Sequence, residues 1–292
     1  MNQKVSIRFY KDSKVRAVWS DELNKWFFSV LDIIGAINNQ EEYHKNRNYW
    51  KYLKAKLKRE NNKLVSVTTQ LKLQAADGKY YMSDAVDQTG VELLAKSIPN
   101  NKATIFLDWF TYSDNSIDGQ SRKKAYALWE SNIIADNEIG TVKALQKIHA
   151  FLFGGLYDFA GKIRTKTIWK DGTLFCRAEY LQVNLAKIEQ MPERTFDEIV
   201  NKYVEMNIAH PFMEGNGRST RIWLDMIFKK NLKQCIDWSK IDKKVYLTAM
   251  HDSTTDAHNI KNLLSNAMTD RIDDREIFMK GIDYSYYYEQ ID

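Results

Sequence analysis

Apolar residues alternate with polar ones near the start of the chain, a pattern that predicts a small sheet. The alternation runs over 5–9 and again over 15–19, with a polar turn at 11–14 between the two segments. A period of two residues is that of a strand with one buried face, so we expect two paired strands here. The same part of the chain predicts three further strands, at 26–30, 64–73 and 79–82. It also predicts three helices, at 29–37, 44–63 and 91–109.

Beyond residue 120 the apolar residues recur at intervals of three and four, which predicts a mostly helical second part. Helices are expected at 121–136, 139–152, 195–209, from about 217, and at 238–250, 259–269 and 274–281. The segment 163–175 alternates instead. It contains Asp171-Gly172, a strong signal for the turn of a β-hairpin.

The polar segment 111–120 separates the two parts and is predicted to be a linker. Charge divides at the same place, because residues 1–110 carry 18 Lys and Arg against 12 Asp and Glu, whereas the rest carries 25 against 26. A chain of 292 residues is long enough for two domains. We therefore expect an α+β protein, with a small basic α/β domain at 1–110 and a mostly helical domain with one hairpin at 121–292.

Many of the basic residues of the first part lie in the predicted helix 44–63. This helix carries eight Lys and Arg against one acid, Glu60, and Tyr49 and Trp50 begin its apolar stripe. A basic helix favours contact with the phosphates of nucleic acid, and such binding depends steeply on salt. A charge run is equally common on a plain solvated helix face. DNA and a target protein therefore both stay open as partners of this domain.

The cysteines, the histidines and the lengths of the apolar runs exclude several classes of protein. Two cysteines, Cys176 and Cys235, cannot form a disulfide framework, and the five histidines lack the spacing of a zinc site. No run of about 18 apolar residues occurs, and no apolar run follows Met1. The sequence therefore predicts a cytoplasmic protein with no membrane partner.

The twelve residues that begin at His210 concentrate the candidate chemistry. Gly215 and Gly217 flank Asn216, and apolar periodicity resumes soon afterwards. Glycine allows positive φ and a close approach of a ligand to the backbone. A glycine-rich turn that leads into a helix points backbone N–H groups and the positive end of the helix dipole at one place. Gly215, Asn216 and Gly217 are thus predicted to bind phosphate.

Charged side chains accompany this turn. Arg218 and Arg221 are three residues apart, so both lie on one face of the first helical turn. Guanidinium stays charged and grips phosphate oxygens through two N–H groups. Glu214 is suited to hold Mg²⁺, which prefers oxygen ligands and shares them with phosphates. His210 suits a general base, because histidine has a reference pKa of about 6.5.

As a whole this stretch resembles the active-site motif of the Fic family, H-x-F-x-[D/E]-G-N-G-R-x-x-R, and it fills every defined position. Fic proteins typically transfer the AMP part of ATP to a hydroxyl side chain of a target protein. The resemblance implies that His210 takes the proton of that hydroxyl and that Glu214 holds Mg²⁺ against the phosphates of ATP. It also implies that Arg218 and Arg221 neutralise the β- and γ-phosphates. Phosphoryl-type transfer depends on positioning and charge neutralisation, which agrees with these roles.

The likeness to the Fic family begins before the motif. Residues 148–164 are typical of the family, and His149 within them is interpreted as a structural residue. In Fic proteins a β-hairpin flap follows, and it aligns the target segment by strand addition. Thr167, Ile168 and Trp169 are the candidates for the edge of this flap.

The C-terminal segment carries a further resemblance. Ser285 and Glu289 fit the S-x-x-x-E inhibitory pattern of some Fic proteins, in which the glutamate competes with phosphate for a motif arginine. The resemblance implies that Glu289 contacts Arg221, although Gln290 departs from the usual Gly or Asn. Tyr286 is predicted to be exposed and is a candidate for self-modification. Inhibitory C-termini of this kind are sometimes controlled by assembly, so a homo-oligomer is among the expected partners.

Residues 9–110 loosely resemble the Bro-N or antirepressor domain of phage and bacterial regulators, which implies DNA binding. The likeness rests on the segments 26–34, 49–50 and 102–109. Three hypotheses follow. The chain is a protein adenylyltransferase restrained by its C-terminal helix, a DNA-binding regulator whose Fic domain senses or marks a state, or a Fic enzyme that uses another phosphate-linked donor or removes AMP. The target protein and its acceptor residue stay open.

Overall fold

The alternating residues near the N-terminus form an antiparallel sheet. The structure is a computed structural model that describes residues 4–75, 77–170 and 173–290. Five strands belong to this sheet: β1 Val5–Tyr10, β2 Ser13–Ser20, β3 Lys25–Ser29, β4 Thr69–Gln74 and β5 Tyr80–Val86. Their order is β1-β2-β3-β5-β4, and each pairing is antiparallel. The register places Val5 opposite Val18 and Ala17 opposite Phe28.

Five helices accompany the sheet: α1 Val30–Asn38, α2 Tyr43–Arg59, α3 Lys63–Val67, α4 Gln88–Ser97 and α5 Lys102–Ser113. Helix α1 begins at Ser29, whose hydroxyl accepts a hydrogen bond from the backbone N–H of Asp32 at 3.3 Å. Ile33 of α1 is fully buried in a core that also contains Val15 of the sheet and Phe106 of α5. The apolar face of α1 therefore joins the sheet to the last helix of this part.

Two predictions for this part are wrong in detail. The predicted strand 64–73 begins with helix α3, because the Asn62 side chain accepts from the backbone N–H of Leu64 at 2.9 Å and caps a short helical turn. The predicted helix 91–109 is two helices. Pro99 separates them, since proline lacks an N–H group and holds the preceding residue, Ile98, in an extended conformation.

The chain divides into two units between Ser116 and Ile117, here called the N-terminal unit and the C-terminal unit. The division lies inside the predicted linker 111–120, but most of that segment is helical rather than loop. Helix α5 continues to Ser113, and α6 begins at Ile117. Polar residues are compatible with exposed helix ends as well as with loops, which is why composition alone misplaced these boundaries.

The C-terminal unit is mostly helical. Its helices are α6 Ile117–Ala127, α7 Val142–Phe153, α8 Ala178–Glu189, α9 Phe196–Ala209, α10 Asn216–Leu232, α11 Lys243–Asp252, α12 His258–Asn266 and α13 Arg275–Tyr288. Two short antiparallel pairs join β6 Trp169–Lys170 to β7 Thr173–Leu174, and β8 Cys235–Ile236 to β9 Met268–Thr269. Helix α10 lies at the centre and packs against α7, α9 and α13.

The predicted α+β class is confirmed, and the differences within the C-terminal unit are one missed helix and several shifted element ends. Helix α8 was not predicted, and α13 continues through the C-terminal tyrosines instead of ending near Gly281. The predicted turn Asp171-Gly172 lies outside the described residues, but the strands on both sides of it pair as expected. Within the described ranges, no helix is long and apolar enough to cross a membrane.

Candidate active site

The motif forms the turn between α9 and α10. A capping box starts α9, in which the Thr195 hydroxyl accepts from the N–H of Glu198 and the Glu198 carboxylate accepts from the N–H of Thr195. The helix ends at His210, which has a φ of 49° in the left-handed region. Helix α10 then begins after Gly215, which has a φ of 80°. A short turn between two left-handed residues, His210 and Gly215, therefore joins the end of α9 to the start of α10.

The imidazole of His210 is half-buried and held by two neighbours. Its Nδ1 lies 3.2 Å from the carbonyl oxygen of Asn207. Its ring stacks on Phe175 with a centroid distance of 3.8 Å and an interplanar angle of 18°. If Nδ1–H donates to the carbonyl, Nε2 keeps its lone pair and can accept a proton. The geometry therefore suits a general base.

The loop after His210 is held from inside. The Asn216 side chain accepts from the N–H of Phe212 at 2.8 Å and donates to the carbonyl of the same residue at 2.7 Å. Phe212 is fully buried, and its ring stacks on that of His149 with a centroid distance of 3.8 Å. The side chain of Asn216 thus closes the loop, and its backbone N–H remains for the phosphate contact that the sequence predicts. Only the backbone of Asn216 can face a ligand.

His149 supports the same loop, in agreement with the structural role predicted for it. Its Nδ1 accepts from the N–H of Gly161 at 2.9 Å, so Nε2–H donates to the carbonyl of Glu214 at 2.8 Å. Burial, together with the nearby Arg218 charge, lowers the pKa of His149 to about 4, although the Glu214 carbonyl opposes the shift. The ring is therefore neutral near pH 7.

Both glycines of the turn are constrained by close neighbours. A Cβ on Gly215 would overlap the ring of Phe153, and one on Gly217 would overlap a carboxylate oxygen of Glu289. Glycine is therefore needed at Gly215 for space and for positive φ, whereas at Gly217 an added Cβ would meet the far end of the Glu289 side chain. The first N–H groups of a helix point away from it without partners inside the helix, so the start of α10 is a site that favours an anion.

Arg218 is buried and flanked by aromatic rings. Its guanidinium carbon lies 5.0 Å from the ring centroid of Phe153 and 5.4 Å from that of Tyr286. It donates to the carboxylate of Glu214 at 2.8 Å and pairs with Asp118 of α6. Burial acts to lower the pKa of Arg218, but the nearby carboxylates outweigh it and raise the pKa. The Nε–H group is buried with no acceptor among the described residues, which leaves a donor for an anionic ligand.

Arg221 is fully engaged by the C-terminal helix. Its Nε donates to the Ser285 hydroxyl at 2.7 Å, and Nη2 donates to the Ser285 carbonyl at 2.8 Å and to the Glu289 carboxylate at 2.5 Å. Nη1 donates to the hydroxyl of Tyr246 at 3.2 Å. The structure thus places Ser285 and Glu289 against Arg221, the arginine that the sequence pattern implied.

Tyr286 is not exposed, so that prediction is wrong. Its side chain is only 3% exposed, and its hydroxyl donates to Ser121 at 2.9 Å. Burial raises its pKa to about 12. Helix α13 turns the side chain of Tyr286 inward, where its ring lies against the guanidinium of Arg218. A buried hydroxyl is out of reach of a nucleotide, which removes Tyr286 as a candidate for self-modification in the folded chain.

The hairpin stands next to His210. Of the three candidates for its edge, only Trp169 lies in strand β6, and its side chain is 68% exposed. Thr167 and Ile168 precede the strand. The Thr167 hydroxyl accepts from the N–H of Ala178 at 3.1 Å, and the Ile168 carbonyl accepts from the N–H of Phe175 at 3.4 Å. These two residues therefore hold the hairpin base more than its edge.

The Glu214 carboxylate lies at the open side of the turn, where a divalent cation could reach it. Its side chain is 42% exposed. No group of three metal-binding side chains occurs in the described part of the chain, so further ligands would come from phosphates and water. Mg²⁺ is commonly held by one or two carboxylates with substrate phosphates and water. The residues present therefore fit Mg²⁺ that arrives with a nucleotide.

Sequence reasoning missed two residues of this site. Asp118 pairs with Arg218 from a helix 100 residues away, and Arg164 binds the turn of His210 through backbone carbonyls. No local pattern marks Asp118, since a single acid in the first turn of a helix is common. Arg164 lies in the segment 148–164 that resembles the Fic family, and this was the one available signal.

The part of the chain that contains this turn is similar to known proteins. The profile of the Fic/DOC family matches residues 140–228, which include the motif and the hairpin but not α13 or the N-terminal unit. Protein adenylyltransferase VbhT of Bartonella schoenbuchensis is 30% identical over 120 residues, which cover 37% of this chain and 25% of that protein. A probable protein adenylyltransferase Fic of Escherichia coli is 26% identical over 113 residues, which cover 35% of this chain and 56% of that protein. The chain thus spans a quarter to somewhat over half of the length of these relatives.

Solved structures show the same partial similarity. A BepC protein of Bartonella tribocorum with bound AMPPNP has a TM-score of 0.45 and 18% identity, over 55% of this chain and 87% of that one. The BepA effector of a type IV secretion system has a TM-score of 0.45 and 20% identity, over 60% of this chain and 64% of that one. What the comparisons establish is that residues 140–228, which build the turn around His210, match the Fic/DOC family.

Proposed function

We propose that the C-terminal unit transfers AMP from ATP to a hydroxyl side chain of a target protein, and that Glu289 restrains this reaction. One observation carries the proposal: a single short turn joins a half-buried imidazole at the end of α9 to the start of α10, a helix whose first two turns bear two buried guanidiniums. A base, anion-binding amides and fixed positive charges are the parts that phosphoryl-type transfer needs. The Fic/DOC match over the same residues and the adenylyltransferase names of the relatives support AMP as the transferred group.

In the proposed reaction the hydroxyl oxygen of the target attacks the α-phosphorus of ATP. A bond between that oxygen and the α-phosphorus forms, the bond from the α-phosphorus to the bridging oxygen breaks, and pyrophosphate leaves. Nε2 of His210 accepts the proton of the hydroxyl. The N–H groups at the start of α10 and the guanidinium of Arg218 stabilise the negative charge of the phosphates.

Glu214 is the residue that would hold Mg²⁺, and the ion, when bound, supplies further positive charge to the phosphates. The carboxylate accepts a hydrogen bond from Arg218 at 2.8 Å, so it lies where the phosphates are expected. The loop that carries Glu214 is fixed by His149 and Asn216. This support keeps the carboxylate, the amides of α10 and the imidazole in one arrangement.

The proposed restraint is a competition for Arg221. The Glu289 carboxylate occupies the guanidinium and also stands against Gly217, at the start of α10. A phosphate that binds Arg221 must displace it. The carboxylate is 19% exposed, so water reaches it and a change of side-chain conformation can release it. The restraint can therefore open without unfolding α13.

The test compares wild type, Glu289→Gly and Glu289→Gly/His210→Ala after incubation with Mg-ATP. Intact mass measures transfer to the chain itself, and a bacterial lysate with ATP labelled at the α- or the γ-phosphate measures transfer to other proteins. We expect α-label, and not γ-label, on protein with Glu289→Gly, with little transfer by wild type and none by the double variant. Label from the γ-phosphate would indicate phosphate transfer instead. No label in any sample would refute AMP transfer, and a panel of other nucleotides would then test another donor.

Nucleic-acid binding by the N-terminal unit is a second candidate function, favoured by the exposed side of α2. This helix carries exposed cations with no acidic partner among the residues that the structure describes: Arg47, Lys51, Lys58 and Arg59. Tyr52, which is 74% exposed, lies among them. Unpaired cations on one helix are the footprint of phosphate contacts, and an exposed aromatic ring can stack on a base.

A salt series tests this candidate with the full-length chain. The triple variant Arg47→Gln/Lys51→Gln/Lys58→Gln should bind duplex DNA more weakly and should lower the slope of log affinity against log salt by about 2 to 3. The matched control neutralises three exposed lysines of the C-terminal unit, Lys162, Lys187 and Lys244. An equal effect of both triple variants, or no binding by the parent at low salt, would remove this function.

A further inference from the structure

The side chain of Arg164 is buried and bonded to carbonyl groups rather than to an acid. The residue is 4% exposed, and it has no carboxylate partner among the described residues. A buried guanidinium is costly to keep unless its donors are satisfied. The positions of the acceptors should therefore show what this side chain does.

The acceptors belong to two different structural elements. At the end of α9, the Arg164 Nε donates to the carbonyl of His210 at 2.7 Å, and Nη2 donates to that of Ala209 at 3.0 Å. At the hairpin base, Nη1 donates to the carbonyl of Lys166 at 2.7 Å and Nη2 to that of Cys176 at 2.5 Å. The last carbonyls of a helix lack partners inside the helix and carry the negative end of its dipole, so a cation is favourable there. One side chain thus links the turn of His210 to both sides of the hairpin.

Backbone hydrogen bonds join the same two elements. The N–H of Arg164 donates to the carbonyl of Pro211 at 2.8 Å, and the N–H of Cys176 donates to that of Ile208 at 3.2 Å. Phe175, between the hairpin and Cys176, stacks on the imidazole of His210. His210 itself has positive φ, which is unfavourable for a residue with a Cβ and must be held by its surroundings. The hairpin and the imidazole are therefore fixed to each other and not only to the core.

We propose that Arg164 is a positioning residue that holds the hairpin and the turn of His210 as one unit, so that a hydroxyl aligned on the hairpin lies within reach of Nε2 of His210. This inference rests on the proposed transfer of AMP to a hydroxyl. Nucleotide binding uses the start of α10 and the two arginines of the motif, none of which Arg164 contacts. Loss of Arg164 should therefore affect the transfer step and leave nucleotide binding intact.

Arg164→Lys is the informative substitution, because lysine keeps the charge but ends in a single nitrogen. A single ammonium cannot reach carbonyls on the α9 end and on both sides of the hairpin at once. The lost alignment should lower kcat for transfer about 30- to 100-fold, since a displacement of about 1 Å from the reactive geometry costs about 100-fold. Arg177→Lys is the matched control. That arginine lies next to the hairpin, but its side chain is 62% exposed, and the one acid near its guanidinium among the described residues is Glu179, at 4.0 Å.

The experiment uses the full chain with Glu289→Gly as parent and measures three quantities. These are the Kd of Mg-ATP, the kcat of α-label transfer, and hydrogen exchange of the segments 163–177 and 205–212. We expect Arg164→Lys to lower kcat at least about 30-fold while the Kd stays within twofold and exchange rises in both segments together. The control should match the parent in all three. A kcat within threefold of the parent, or a Kd that weakens as much as kcat falls, would overturn the inference.

The experiment distinguishes a failure of the proposed AMP transfer from a failure of the proposed role of Arg164. If the Glu289→Gly parent transfers nothing, AMP transfer is refuted and hydrogen exchange alone decides the role of Arg164. A joint rise of exchange in 163–177 and 205–212 then supports a single unit held by this side chain. A rise in one segment only, or in neither, would show that Arg164 does not couple the two.

Discussion

Removal of the Glu289 carboxylate should tighten nucleotide binding, and the structure bounds the size of the effect. Arg221 is 3% exposed and donates to this carboxylate at 2.5 Å. A phosphate that binds the guanidinium must first break this contact. A hydrogen bond between charged groups contributes about 1.5–3 kcal/mol, and about 1.4 kcal/mol corresponds to tenfold in affinity. We therefore expect Glu289→Gly to lower the Kd of Mg-ATP about 10- to 100-fold.

Titration calorimetry measures the Kd, with His210→Ala present in every protein so that no turnover occurs. Glu289→Gln removes the negative charge but leaves a side chain against Arg221, because glutamine keeps the size of glutamate and one acceptor oxygen. It should tighten binding less than Glu289→Gly does. Glu276→Gln is the matched control: it neutralises another acid of α13, one that pairs with Lys280 at 2.6 Å.

The reasoning fails if Glu289→Gly binds Mg-ATP within twofold of its parent. Stability provides a second check on the same contact. Loss of the carboxylate leaves a buried guanidinium with fewer partners, so the free energy of unfolding without nucleotide should fall by about 1–3 kcal/mol. Saturating Mg-ATP should restore part of that loss, because the ligand binds only the folded chain. Equal stability of parent and variant would mean that the contact with Arg221 is absent in solution.

Three further predictions concern neighbours of the turn. Asp118→Asn should raise nucleotide affinity only a few-fold, and less at high salt, because water screens this 52% exposed carboxylate although its partner Arg218 is buried. Gly215→Ala should lower the free energy of unfolding by about 2–3 kcal/mol. The control Gly155→Ala should lower it by about 1 kcal/mol, because Gly155 has a similar positive φ but open space around it. Equal losses would show that the Phe153 ring moves aside to accommodate the added Cβ. Burial holds the pKa of His149 at about 4, below its usual 6.5, so its contribution to stability is present above pH 6.5 and is lost as the pH falls to about 4. Wild type should therefore lose about 3 kcal/mol more than His149→Gln in urea unfolding between these pH values, and parallel curves would contradict this.

The elements of the site that sequence could predict are those set by local chemistry. Helix α10 begins at Asn216, one residue from the predicted start, because Gly215 supplies the positive φ that ends the loop. The hairpin strands follow from alternation, and α9 ends at His210 as expected. Short-range rules are reliable here because each of these features depends on a few neighbouring residues.

The features that sequence missed depend on partners far along the chain. Asp118 reaches the turn from α6, and the acceptors of Arg164 are carbonyls, which every residue carries. Tyr286 was misread because polarity near the chain end suggests exposure, whereas the packing of α13 decides which tyrosines turn inward. The contact between Glu289 and Arg221 was expected only through resemblance to a known family, since their separation of 68 residues carries no local signal.

The two motif arginines explain how the proposed restraint and a stabilising contact coincide in this site. Both guanidiniums are 3% exposed, and a buried charge without a partner is strongly unfavourable. Before nucleotide arrives, carboxylates from α6 and α13 supply the negative charge that phosphates would supply later. Any change that frees an arginine for phosphate therefore also weakens the chain without nucleotide. Nucleotide affinity and stability should move in opposite directions across variants of Asp118 and Glu289. The effect should be stronger for Glu289, because its side chain is 19% exposed whereas that of Asp118 is 52% exposed.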